Sequence, residues 1–131
     1  MHVSRPPLRI LVVDDDVDAR LLVGAMVETY CDALVTLVAS VDEAIDSVRR
    51  VLPDLVVTDA MMPGQDGLDL LRRIRDVPRA ARVPVLVATA SHEAGLLERL
   101  RSAGAVAIVS KPPTPEALVA AVGAALRPAG G

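Results

Sequence analysis

The sequence predicts an α/β protein of (βα)5 organisation, with a doubly wound parallel sheet of strand order 2-1-3-4-5. Five short runs are apolar on consecutive residues and rich in β-branched side chains, as in strands that are buried on both faces. These runs span residues 8–13, 34–39, 55–58, 83–88 and 105–109. Segments with helical spacing alternate with the runs, and this alternation favours right-handed crossovers and helices on both faces of the sheet.

Apolar spacing and residues that favour helix starts locate the five helices. Along the first, Leu22, Met26 and Tyr30 step by four on one helical face. The apolar faces of the others comprise Ala44, Ile45, Val48 and Leu52, then Leu68, Leu71 and Ile74, then Leu96, Leu97 and Leu100, and finally Leu118, Val122 and Leu126. The predicted N-caps are, in chain order, Asp16, Ser40 in a capping box with Glu43, Asp66, Ser91, and Thr114 ahead of Pro115.

Length and composition indicate one domain. The chain has 131 residues, of which 52% are hydrophobic, so a core can form without disulfides or structural metals. We expect the domain to span residues 9–126. An N-terminal extension over residues 1–8 precedes it, and a flexible C-terminal tail over residues 127–131 follows it.

Charge and residue usage argue against several function classes. The net charge is -3 and Tyr30 is the single aromatic residue, whereas nucleic-acid binding needs a basic surface or aromatic stacking faces. No apolar run has the length of a membrane span, and no secretory signal is visible. The one cysteine, Cys31, fits a reducing compartment. We therefore expect a cytoplasmic protein that contacts neither nucleic acid nor membrane.

Polar residues follow the predicted strands at their carboxyl ends, where open α/β sheets bind ligands. They are Asp14, Asp15 and Asp16 after the first strand, Asp59 after the third, Thr89 after the fourth, and Ser110 and Lys111 after the fifth. Adjacent carboxylates repel one another unless a cation neutralises them, and ligands that are all oxygen suit Mg²⁺. A solvated acidic turn, with Asp16 only capping the first helix, is the simpler alternative.

Lys111 is the only lysine among 14 basic residues, which indicates that a compact charge is needed at this strand end. A carboxylate nucleophile, a hard cation, a lysine and a hydroxyl are together the parts of phosphoryl transfer to an aspartate. Asp59 needs no general base for this chemistry because a carboxylate is already ionised at neutral pH.

Motifs along nearly the whole chain resemble those of response-regulator receiver domains, the CheY-like family. The first strand with its acidic pair is Ile-Leu-Val-Val-Asp-Asp over residues 10–15, and the phosphoacceptor strand is Asp-Leu-Val-Val-Thr-Asp over residues 54–59. The loop Met-Pro-Gly-Gln-Asp-Gly follows over residues 62–67. Further matches are residues 83–85 with Thr89-Ala90, Gly104-Ala105 with Lys111-Pro112, and Pro-Glu-Ala-Leu over residues 115–118.

The resemblance implies a flavodoxin-like fold and a signalling switch, not an enzyme that turns over other substrates. Asp59 would accept a phosphoryl group from a histidine kinase or a phosphotransfer protein. Asp14 and Asp15 would hold Mg²⁺ with Asp59 and the backbone carbonyl of Met61. Thr89 and Lys111 would bind phosphoryl oxygens, and the peptide bond from Lys111 to the following proline would be cis.

Three departures from the family pattern concern the output of the switch. Ile108 stands where the family usually has Tyr or Phe, and Pro113 stands where Phe is common. Val106 and Ala107 occupy a turn that is acidic in many relatives. The face made by helix four, strand five and helix five is therefore apolar, and it could bind an effector domain or a second copy by packing. The alternative is a chain that is merely rich in alanine and valine.

Two rival functions use the same residues. A receiver-like module could bind partners without phosphorylation. A haloacid-dehalogenase-like phosphatase would instead use Asp14 as its nucleophile, but no cap domain and no later acidic pair accompany it here. A nucleotide or flavin binder of this topology is disfavoured because no glycine-rich loop follows the first strand.

Overall fold

The computed structural model describes residues 6–127 and confirms the five-stranded parallel sheet, in the order β2-β1-β3-β4-β5. The strands are β1 (Leu8–Val13), β2 (Ala33–Val38), β3 (Leu55–Asp59), β4 (Val85–Thr89) and β5 (Ala107–Ser110). The helices are α1 (Val17–Cys31), α2 (Val41–Arg50), α3 (Gly67–Arg75), α4 (Ala94–Ser102) and α5 (Pro115–Ala125), with a 3-10 turn at Pro78–Ala80. Most of the expected extension (residues 1–8) and tail (residues 127–131) lies outside the described residues, which leave out positions 1–5 and 128–131.

The core has two layers because successive residues of a strand point to opposite faces. In β1, Leu11 and Val13 pack with α2, α3 and α4, whereas Ile10 and Val12 pack with α1 and α5. All four side chains are at most 2% exposed. Between residues 6 and 127, none of the helices is both long enough and apolar enough to cross a bilayer.

Strand β4 begins at Val85, two residues later than the sequence predicts. The backbone N–H of Val83 donates to Ala80 O at 3.0 Å, which closes the turn before the strand. Pro84 has no N–H to donate, although its carbonyl accepts from Val56 N–H. The apolar run is thus longer than the strand because its first residues finish a turn.

Strand β2 is not buried on both faces, so that part of the prediction is wrong. The side chains of Leu34 and Leu37 are 51% and 39% exposed. The reason is position in the sheet, since β2 pairs only with β1 and forms an edge. An apolar run alone does not distinguish an edge strand from a central one.

The face of α1 that carries Leu22, Met26 and Tyr30 is not its main buried face, although Met26 is partly buried against the core. Leu22 and Tyr30 are 44% and 58% exposed, while Val23 and Val27 are buried. Because α1 is apolar around much of its circumference, its sequence supports two helical faces. Packing against the sheet selects the second one.

Three of the five predicted caps form their hydrogen bonds. The side chains of Ser40, Asp66 and Thr114 accept from the N–H groups of the third residue along. Ser91 was wrongly predicted, because α4 begins at Ala94 and the Ser91 hydroxyl accepts from Glu93 N–H before the helix starts. Asp16 occupies the N-cap position of α1, but its side chain makes no capping bond.

The second half of the Ser40 capping box also differs from the prediction. The carboxylate of Glu43 accepts from Ala39 N–H at 2.8 Å instead of from the cap residue's own N–H.

Gly104→Ala is expected to lower the free energy of unfolding by about 1–3 kcal/mol. Gly104 has a φ of 112°, and a Cβ there would lie 2.6 Å from Nη2 of Arg75, which donates to the Gly104 carbonyl. Gly123→Ala is the matched control, because a Cβ there meets nothing within 4 Å and the residue lies within α5. The control should raise the unfolding free energy by about 0.5–1 kcal/mol. Equal effects of both changes in urea denaturation would contradict this reading.

Candidate functional site

Three carboxylates meet at the carboxyl ends of two neighbouring strands. Asp14 and Asp15 follow β1, Asp59 ends β3, and these strands pair with Val13 opposite Thr58. One carboxylate oxygen from each aspartate lies within 4.8 Å of the other two. Asp14 is only 3% exposed, whereas Asp15 is open to solvent. The three predicted carboxylates are therefore brought together, with Asp14 buried, Asp59 half-buried and Asp15 accessible.

Lys111 reaches this cluster from the end of β5. Its Nζ lies 2.6 Å from Oδ2 of Asp14 and 3.2 Å from Oδ2 of Asp59, and its side chain is 15% exposed. Strand β4 stands between β3 and β5, so a long side chain is needed to span that distance. The peptide bond between Lys111 and Pro112 is cis, as the family resemblance implies.

The charges in this cluster perturb one another. Burial is the main cause that raises the pKa of Asp59, and the charge of Asp14 adds to it, while Lys111 acts in the opposite direction. Burial by itself would lower the pKa of Lys111. Its hydrogen bond to Asp14 and the charge of Asp59 outweigh that effect, so the net shift of the Lys111 pKa is upward. Lys111 is therefore a cation throughout the physiological range.

Backbone contacts hold Asp14 in place. Its Oδ1 accepts from Asp16 N–H at 3.0 Å, and its own N–H donates to Val38 O at 3.1 Å. Nη1 of Arg20 donates to the backbone carbonyl of Asp14 at 2.7 Å. Arg20 was not among the predicted site residues; the available signal was an arginine in the first turn of the helix that follows an acidic run.

A glycine lets the start of α3 approach Asp59. A Cβ on Gly67 would lie 2.9 Å from the backbone oxygen of Asp59 and 3.1 Å from Cα of Ala60. In the same loop, Met61 N–H faces Oδ1 of Asp59 at 3.4 Å, and Met61 itself is 60% exposed. The role of its carbonyl as a metal ligand stays a prediction.

Thr89 lies at the same edge of the sheet but is not bonded to the carboxylates. It ends β4 and is 2% exposed, and its hydroxyl accepts from Ser91 N–H at 3.1 Å. Across residues 6–127, no hydrogen bond joins its side chain to Asp59 or Lys111. Ile108, one strand away, is half-buried against the core layer of α2, α3 and α4.

At pH 7 in EDTA, Asp59→Asn is expected to have a higher unfolding midpoint than the wild type. Because folding raises the pKa of Asp59, the folded state holds the proton more tightly than the unfolded state does. Stability therefore falls as the pH rises from the ordinary value of 3.8 through the folded-state value, and ionised Asp59 opposes folding at pH 7. The amide removes that charge, while Lys111 keeps Asp14 as a partner.

The matched control for this prediction is Asp46→Asn, which changes an exposed residue of α2. It should shift the unfolding free energy by no more than about 0.5 kcal/mol. An Asp59→Asn midpoint below that of the wild type in EDTA would contradict the prediction.

Known proteins share the sequence family and the fold of this chain. The sequence model of the family described as "Response regulator receiver domain" matches residues 10–123. Response regulator Rre1 of Synechocystis sp. is 37% identical over 116 residues, which are 88% of this chain and 50% of Rre1. Protein-glutamate methylesterase/protein-glutamine glutaminase 5 of Myxococcus xanthus is 37% identical over 107 residues, which are 81% of this chain and 30% of that protein.

Solved structures share the fold. The chemotaxis response regulator CheY4 of Vibrio cholerae superposes with a TM-score of 0.83 at 22% identity, covering 90% of this chain and 98% of that one. The chain spans half the length of Rre1 and 30% of the methylesterase. With the family model matched over residues 10–123 and the strand order of that fold observed, the chain belongs to the response-regulator receiver domains of two-component signalling.

Proposed function

We propose that this receiver domain accepts a phosphoryl group on Asp59, with Mg²⁺ bound beside it, from a histidine kinase or a phosphotransfer protein. The observation that carries the proposal is the placement of Asp59. Its carboxylate lies 3.2 Å from the ammonium of Lys111 and within 4.8 Å of oxygens from Asp14 and Asp15. Asp14 lies closer to Lys111, but its two carboxylate oxygens are already bonded to Asp16 N–H and to Lys111, and its side chain is 5% exposed against 12% for Asp59. Asp59 is therefore the better candidate for the nucleophile.

The chain's own residues supply most of the chemistry. A carboxylate oxygen of Asp59 attacks phosphorus, the new O–P bond forms, and the P–N bond to the donor's imidazole breaks. Lys111 neutralises charge on the phosphoryl oxygens, and Thr89, at the end of the adjacent strand, offers a hydroxyl to one of them. No proton has to leave Asp59, since it reacts as the carboxylate.

The donor set fits Mg²⁺. The three side chains offer carboxylate oxygens only, which a hard cation prefers, and the described cluster contains neither histidine nor cysteine. Asp15 is exposed, so one side of the cluster is open to an ion and to the donor. When bound, Mg²⁺ would neutralise charge on the nucleophile and on the transferring group.

The domain acts in this proposal as a switch that catalyses only its own phosphorylation and dephosphorylation. The Myxococcus relative is named a methylesterase, but this chain spans only 30% of it and matches the receiver-domain model. We propose residues 9–126 as the signalling unit. A cytoplasmic location stays a prediction from cysteine usage.

Mg²⁺-dependent labelling tests the proposal. The protein is incubated with acetyl phosphate in either Mg²⁺ or EDTA, and the intact mass is measured. We expect one added phosphoryl group in Mg²⁺ and none in EDTA. If no donor labels the protein and Mg²⁺ does not bind, the phosphorylation-independent module becomes the better account.

The output face is proposed to be the surface of α4, β5 and α5, with an effector domain or a second copy as its partner. Val106, just before β5, is 50% exposed, and Val119 on α5 is 40% exposed. Ile108 on β5 stands where the family usually has an aromatic residue, so the apolar contacts proposed for this face come from aliphatic side chains.

Val106→Asp is expected to weaken association through this face by roughly tenfold, because it buries a carboxylate without a partner. Val51→Asp is the matched control, since Val51 is 54% exposed but follows α2, away from the face. Association is measured by analytical ultracentrifugation of the chain with and without the added phosphoryl group. Indistinguishable association of both variants and the wild type would contradict the proposed face.

A further inference from the structure

The backbone carbonyl of Asp14 has an unusual position. Asp14 is the first residue after β1, and its N–H still bonds to the sheet through Val38 O. Its carbonyl accepts from Nη1 of Arg20 at 2.7 Å. Since Asp14 is 3% exposed, this charge-assisted bond satisfies an acceptor at a largely buried residue.

Fixing this carbonyl also orients the next residue. The oxygen belongs to the peptide unit that joins Asp14 to Asp15, and that unit is planar. A bond to the oxygen therefore sets the direction in which the chain enters Asp15. Asp15 is the exposed member of the carboxylate cluster, and Arg20 is held in turn by the first turn of α1, where its N–H donates to Asp16 O at 2.9 Å.

We propose that Arg20 is a positioning residue for the cation site, which it serves by fixing the peptide unit between two of the carboxylates. This inference rests on the proposed Mg²⁺ binding by Asp14, Asp15 and Asp59. Arg20 touches neither the ion nor the phosphoryl group in this account. It acts as an outer partner that orients ligands, and loss of such partners weakens metal binding.

The charge of Arg20 and its positioning role predict opposite changes in Mg²⁺ affinity when Arg20 is removed. The guanidinium is a cation near a site for another cation, so its charge alone opposes Mg²⁺ binding. If charge were its whole effect, removing Arg20 would tighten Mg²⁺ binding. If it positions the ligands, removing Arg20 weakens binding despite the charge change.

The experiment measures the Mg²⁺ dissociation constant of the full chain by calorimetry. Arg20→Met removes both the charge and the donors, Arg20→Lys keeps the charge and one donor group, and Arg50→Met is the control. Arg50 is exposed at the end of α2, so its loss changes net charge equally without touching the site. We expect about a tenfold higher dissociation constant for Arg20→Met, partial rescue by Arg20→Lys, and a change within about twofold for Arg50→Met.

A second readout separates positioning from general loosening of the domain. At saturating Mg²⁺, the labelling rate of Arg20→Met by acetyl phosphate should return to within about threefold of the wild type, because the ligands are then held by the ion. Circular dichroism in EDTA checks that each variant is folded, and Arg20→Lys carries the test if Arg20→Met is not.

Mg²⁺ binding to Arg20→Met that is equal to or tighter than wild-type binding would overturn the inference. A Mg²⁺ dissociation constant of Arg20→Lys as high as that of Arg20→Met would also overturn it. So would a labelling rate of Arg20→Met that stays low at saturating Mg²⁺. Failure of the wild type to bind Mg²⁺ is a different result, because it removes the proposed function together with this inference.

Discussion

Asp59→Asn is expected to abolish phosphoryl transfer to this domain, with labelling by acetyl phosphate falling by about a thousandfold or more. The amide oxygen is a poor nucleophile compared with a carboxylate, and no other carboxylate takes the position of Asp59. Asp14 is buried and already bonded to both Lys111 and Asp16 N–H. Intact-mass measurement after timed incubation in Mg²⁺ gives the rate.

The control for that prediction is again Asp46→Asn, which should label at the wild-type rate. The structural reason to expect a clean result is that Asp59→Asn keeps the shape of the side chain and leaves Lys111 paired with Asp14 at 2.6 Å. Labelling of Asp59→Asn within about tenfold of the wild-type rate would contradict the assignment of Asp59 as phosphoacceptor.

Lys111→Met is expected to destabilise the metal-free protein by about 3 kcal/mol, because it leaves two carboxylates without their cation. Its side chain and those of Asp14 and Asp59 are 15%, 5% and 12% exposed, so water replaces the lost contact poorly. Mg²⁺ should restore more stability to this variant than it adds to the wild type. Urea denaturation in EDTA and in Mg²⁺ measures both quantities.

The pH dependence of the Lys111 effect has a definite sign. Folding raises the pKa of Lys111, so the stability that it contributes is fully present below its ordinary value of 10.5 and is lost as the pH rises through the folded-state value. The stability gap between the wild type and Lys111→Met in EDTA should therefore be constant near neutrality and shrink above pH 10.5. An unfolding free energy of the variant within about 0.5 kcal/mol of the wild type in EDTA would contradict this role.

The order of elements was predictable because local patterns determine it. The run over residues 8–13 coincides with β1, and the caps at Asp66 and Thr114 form as their sequences predict. Positions that depend on neighbours in space were less predictable. The exposure of Leu34 follows from β2 being an edge, and the buried side of α1 follows from packing on the sheet.

The residues of the candidate site also fall into those that the sequence predicts and those that depend on contacts in space. The aspartates and Lys111 were found because strand ends in a parallel sheet meet at one edge, and their types are chemically distinctive. Arg20 was missed because an arginine beside an acidic run does not by itself indicate that its contact is to a backbone carbonyl. Binding of a phosphoryl oxygen by Thr89 stays a prediction. Its hydroxyl accepts from Ser91 N–H, a contact that residue type alone does not indicate.

The position of the phosphoryl group is the most direct test of the central claim. The protein labelled by acetyl phosphate in Mg²⁺ is digested, and tandem mass spectrometry locates the modified residue. We expect the phosphoryl group on Asp59, in the peptide that contains the end of β3. A phosphoryl group on Asp14 would contradict that expectation and favour the phosphatase-like alternative.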